Sequence, residues 1–105
     1  MSLDITFTAL RPTEVFSANI THNLGKMASE CGLYEPLWGP EKGTRAWTLV
    51  APLIAGIERL KSDPARFKQF NPANGWGDYD TLLKFAEETL TACKENPDAE
   101  VSVWK

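Results

Sequence analysis

The sequence predicts an α+β fold: three main helices plus one short helix, packed on a small sheet formed by the N- and C-terminal strands. Three observations carry this reading. Apolar and polar residues alternate with period two near both ends, and apolar residues recur at helical spacing between them. The 105 residues, 43% hydrophobic and 24% charged, have the make-up of one globular domain spanning 1–105. Area scaling for such a chain gives a folded surface of roughly 5,900 Å² against about 17,000 Å² unfolded, enough burial for a core without disulfides or metal.

The elements follow in order. Asp4–Leu10 sets Ile5, Phe7 and Ala9 against Thr6 and Thr8, the pattern of a half-buried strand. Arg11-Pro12-Thr13 ends it, because proline cannot donate to a ladder. Ile20, Leu24, Met27, Cys31 and Tyr34 then form one helical stripe, with Asn19 or Thr21 as cap and Gly32 or the Pro36 region as its end. Gly25 lies inside it, where a missing side chain would permit close backbone packing.

Thr44 is placed to cap a second helix. Its apolar positions Trp47, Leu49, Val50, Leu53, Ile54, Ile57 and Leu60 span more than half the circumference, as expected of the most buried helix. Pro52 predicts a kink or short break within it. Asp63-Pro64 starts the short helix, which points Phe67 and Phe70 toward the core. After the turn-rich Asn71–Gly77 loop, Asp78 caps a last helix with Tyr79, Leu82, Leu83, Ala86, Leu90 and Cys93 on its apolar face. Asn96-Pro97-Asp98 turns the chain into a strand over Ala99–Trp104. Neither terminal strand can stand alone, so they pair with each other or with a neighbouring subunit. The second choice would give a homodimer through those strands.

Several function classes are excluded at this level. A net charge of −3 argues against nucleic acid as the partner. No apolar run approaches the roughly 18 residues of a membrane helix. The opening Met1-Ser2-Leu3-Asp4 lacks the basic and apolar stretches of a signal peptide, so cytoplasmic residence is expected. Cys31 and Cys93 fall on apolar helix faces, as buried free thiols do. With His22 the single histidine and no Cys-x-x-Cys pair, neither a metal nor another cofactor is expected. Gly25-Lys26 lacks the glycine spacing of a phosphate loop, and no Gly-x-Ser-x-Gly or Gly-x-Gly-x-x-Gly occurs, which weighs against catalysis.

Two segments are left with polar and aromatic residues that the core does not require. Asn19, His22, Asn23 and Lys26 lie at the start of the first predicted helix, either as its solvated face or as hydrogen-bonding readers of a ligand. Asn71, Asn74 and Trp76 lie in the glycine-rich loop, where Trp76 either anchors the loop or offers an aromatic platform. A third aromatic segment, Tyr34–Pro40, holds Trp38.

Some of these residues carry a resemblance. Asn19-Ile20-Thr21-His22-Asn23-Leu24, Met27-Ala28 and Gly32-Leu33-Tyr34-Glu35 form the first group. Phe70-Asn71-Pro72-Ala73-Asn74-Gly75-Trp76-Gly77 with Tyr79, and Ala92-Cys93 ahead of Pro97–Val103, form the others. Together, across residues 17 to 103, they resemble a family of small uncharacterised proteins found mostly in bacteriophages, prophages and their bacterial hosts. The resemblance implies a small soluble protein of the host cytoplasm and brings no activity with it. Pro40-Glu41-Lys42-Gly43 is shorter than the family's polar stretch at that point, and Asp4–Leu10 lies outside its pattern.

Three readings of function follow. The first is a non-catalytic accessory factor that binds a polar small molecule or a protein partner through Asn19, His22, Asn23, Lys26, Asn71, Asn74 and Trp76. The second is a small hydrolase or nucleotide-processing enzyme, which requires His22 in a concave pocket beside a carboxylate. The third is a purely structural module, which requires Trp38, Trp47 and Trp76 all to be nearly fully buried.

Overall fold

A computed structural model describes residues 2–9, 14–75 and 77–105. The fold is α+β, as the sequence predicts. Strands β1 (Ser2–Thr8), β2 (Glu14–Thr21) and β3 (Glu100–Trp104) form an antiparallel sheet in the order β2-β1-β3. The helices are α1 (Gly25–Cys31), α2 (Tyr34–Trp38), α3 (Val50–Ser62), α4 (Pro64–Lys68) and α5 (Tyr79–Glu95). Short 3₁₀ turns at His22–Leu24 and Ala46–Leu49 lead into α1 and α3.

The two ends of the chain do meet, β1 pairing with β3 from Asp4 opposite Trp104 to Thr8 opposite Glu100. Of the two pairings expected for the terminal strands, the one within the chain is therefore observed. The sheet also has a strand that was not expected. Residues 14–21 alternate as a strand does, and Phe16, Ala18 and Ile20 lie opposite Phe7, Ile5 and Leu3 of β1. Asn19, Ile20 and Thr21 therefore belong to β2 and not to a helix. Ile20 fits either period, and pairing with β1 decides between them.

Alternation buries Leu3, Ile5, Phe7, Ile20 and Val101 on one face of the sheet, against the helices. Phe7 and Phe16 meet edge to face across β1 and β2, with ring centroids 5.1 Å apart. Leu24, Met27, Leu53, Leu60, Leu82, Ala86 and Trp38 close the core from the helical side. Both thiols are buried and free, as expected.

Several local expectations are corrected. The first helix starts at Gly25 and ends where Gly32 turns into the left-handed region, so Tyr34 opens α2 instead of extending α1. Gly25 is not a close-packing site, since a side-chain carbon there would meet only Tyr34 at 3.7 Å. Gly56 of α3 is one: a Cβ there would overlap the Leu33 side chain at Cδ2 and Cγ. Thr44 caps no helix. Its hydroxyl donates to the Glu41 carbonyl, and its own carbonyl accepts from Val101 N–H.

The chain passes from 3₁₀ to α two residues before Pro52, so the proline sits in the first turn of α3 and introduces no interior break. Trp47, expected in the core, is 59% exposed, because the 3₁₀ turn rotates it off the stripe of α3. Asp63 and Asp78 cap α4 and α5 as predicted. The predicted break at Arg11-Pro12-Thr13 lies outside the described residues.

Candidate functional site

His22 opens the 3₁₀ turn that follows β2, and Thr21 accepts from Asn23 N–H to cap it. The imidazole meets Trp38, which is 1% exposed. Indole N–H can only donate, so the 2.9 Å bond from Trp38 Nε1 makes His22 Nδ1 the acceptor and leaves the ring proton on Nε2. Tyr34 stacks on Trp38, rings 5.3 Å apart and parallel within 3°. His22 thus serves as the polar partner of a buried tryptophan. An imidazole held this way cannot also be oriented by a carboxylate through Nδ1, the arrangement that most directly makes a histidine a general base.

The remaining predicted residues have similarly local partners. Asn19 lies on the outer face of the sheet, donating to Ser2 Oγ at 2.9 Å and Asp4 Oδ1 at 2.7 Å. Lys26 extends over the Phe70 ring, 5.8 Å from its centroid. Asn71 Oδ1 accepts from Tyr79 N–H at 2.9 Å, tying the loop to the start of α5. Asn23 and Asn74 are exposed. Trp76 lies outside the described residues.

The two predicted segments do come together. Gly77 has φ of +89°, and a Cβ there would lie 2.9 Å from both Thr21 and Leu24, so the loop is pressed against the end of β2. Gly77 against Thr21 and Leu24, and Lys26 over Phe70, make this junction, while Asn19 lies apart from it beside Ser2 and Asp4.

The shifted titratable groups here have structural causes. Burial pushes Tyr79 up, and its hydroxyl donates to the Leu60 carbonyl at 2.9 Å. Hydrogen bonds from the Thr81 amide and hydroxyl hold Asp78 below the usual carboxylate range, as befits a cap. Burial raises Cys31 and pushes Cys93 up to about 12, so neither is poised as a nucleophile. No group of three or more potential metal ligands occurs among the described residues.

A second feature escapes sequence reasoning: the groove between β2 and α5. Two cavities of about 570 and 330 Å³ share Lys84 and Glu88 and so run end to end. Phe16, Ala18, Phe85 and Ala92 supply its apolar floor, Thr81, Lys84, Glu87, Glu88, Thr91 and Glu95 its polar wall, and Asn19, a predicted site residue, lies at its rim on β2. Among the described residues no strand lies beyond β2, so its outer backbone groups are an open edge. The other edge is partly covered, since Ala46 N–H bonds the Ala99 carbonyl and Val101 N–H the Thr44 carbonyl. Alternation within residues 14–21 was the available signal for the strand side. Thr81, Lys84, Glu88, Thr91 and Glu95, at steps of three and four, were the signal for the helix side.

No helix among the described residues is long and apolar enough to cross a membrane. No protein-family model, curated protein or solved structure matches the chain.

Proposed function

We propose that this protein is a non-catalytic binding module that takes an extended protein segment along β2. Its motifs favour an accessory factor of phage or prophage type working in the cytoplasm. The observation that carries the reading is the open groove formed by the free edge of β2 and the outer side of α5. An extended chain added to such an edge finds main-chain hydrogen bonds on one side and a helix wall for its side chains on the other. Its two walls match in length: Phe16 to Thr21 spans about 17 Å at strand rise, and Thr81 to Glu95 about 21 Å at helical rise.

The His22 junction supports the reading less directly. Its polar atoms hold the fold together, and His22 and Asn71 are committed to Trp38 and Tyr79. An exposed Trp47 speaks against the purely structural module, which required a buried one.

Selection of random displayed peptides against the full-length protein tests the function. The selected peptides are expected to bind the wild type and to lose affinity for Thr91→Trp, whose indole fills the groove without touching the core. Peptides that bind Thr91→Trp unchanged would place recognition elsewhere and overturn the proposal.

A further inference from the structure

Resting on that reading, the structure points to a basic partner: we infer that the groove takes an extended segment carrying lysine or arginine at alternate positions. Among the described residues, the polar wall contributes Glu87, Glu88 and Glu95 against one cation, Lys84. Lys61 engages Glu87 at 2.9 Å, whereas Lys84 reaches Glu88 only at 4.0 Å with both side chains well exposed, a pairing worth little. Glu88 and Glu95 remain the carboxylates that an incoming cation meets.

Strand geometry sets the spacing. Side chains of an added strand alternate between the two faces of the sheet, so every second one points toward α5. There it crosses the apolar floor of Phe16, Ala18, Phe85 and Ala92 before reaching the glutamates. Lysine and arginine suit that path, since their aliphatic stems cover apolar surface while the charged heads stay wet. The intervening side chains lie on the outer face beside Ser17, Asn19 and Thr21, where small polar residues fit. Val15 is skipped in the pairing of β2 with β1, which confines the regular edge to Phe16–Thr21. A second copy of this chain is the wrong occupant, because edge-to-edge pairing would bring two sets of these glutamates together.

The test is titration of the full-length, isotope-labelled protein with synthetic peptides of about eight residues, a usual strand length. One alternates lysine with threonine. A second carries glutamate in place of each lysine, and two more carry N-methyl groups on alternate residues of the lysine peptide, one for each register. The lysine peptide is expected to shift the amides of Phe16–Thr21 and Lys84–Glu95 and to bind at least about tenfold more tightly than the glutamate peptide. Its affinity should fall with added salt and in the Glu88→Lys/Glu95→Lys variant. One N-methylated register should lose binding, because half of the strand's amides face β2.

Equal binding of the lysine and glutamate peptides at the same amides would overturn the basic partner while leaving the groove's role intact. Binding by both N-methylated registers would overturn strand addition. Shifts confined to other parts of the molecule, or none, combined with selected peptides that ignore Thr91→Trp, would overturn both readings.

Discussion

A single hydrogen bond decides what His22 is for. Trp38 places its indole N–H in a nearly sealed position and needs an acceptor, which Nδ1 of His22 provides at 2.9 Å. Removing the acceptor strands a buried donor, at a cost of about 1–3 kcal/mol. His22→Ala should therefore lower the unfolding free energy by about 1–3 kcal/mol, seen as a lower urea midpoint with tryptophan fluorescence as the readout. A variant as stable as the wild type would mean that water satisfies the indole. This role was not legible in the sequence, because nothing in the spacing of His22 and Trp38 announces a contact across two helices. The sequence could show that His22 is a lone polar aromatic beside apolar positions. Which group would face it depended on the path of residues 25–38.

At the scale of elements, helix ends were the most legible features. Asp63-Pro64, Asp78 and Gly32 act as caps because their chemistry is local. The Thr21–Leu24 region was harder, since Ile20 and Leu24 fit a helical offset while residues 14–21 alternate as a strand. Only pairing with β1 resolves that conflict, and half of the groove was hidden with it. Glycine roles also depended on packing between elements. At Gly56 an added methyl would press into Leu33, overpacking that costs about 1–3 kcal/mol and outweighs a helix-propensity gain of at most about 1 kcal/mol. At Gly25 the same methyl makes an ordinary contact, and loss of unfolded-state entropy should stabilise by about 0.4–1 kcal/mol. Urea denaturation of Gly56→Ala and Gly25→Ala should thus shift in opposite directions. Shifts of the same sign would refute the close contact between α1's exit and α3.

For the molecule as a whole, composition gave a sound estimate of size. The accessible surface of 6081 Å² matches the roughly 5,900 Å² expected, and the radius of gyration is 13.2 Å. The body measures 42 × 27 × 18 Å, its thin dimension being one sheet and one layer of helices. Cys31 and Cys93 lie inside that layer, both with pKa values raised by burial. Thiols raised in the folded state keep their proton while those of the unfolded chain ionise. Their stabilisation is therefore complete below the ordinary thiol range and is lost as pH rises from about 9 toward the folded value of about 12. The urea midpoint should decline across that alkaline window, and Cys93→Ala should flatten the decline. A variant with the wild-type slope would assign the loss to other groups.

The position of β1 has a consequence in time. As the middle strand of the sheet, it is flanked by β2, its neighbour in the chain, and by β3, made nearly a hundred residues later. On the ribosome, Leu3, Ile5 and Phe7 can gain their first partner early, but the other side of β1 stays unpaired until Glu100–Trp104 emerges. Until β3 is made, the nascent chain therefore carries an apolar strand with one side open, and Glu100–Trp104 closes it.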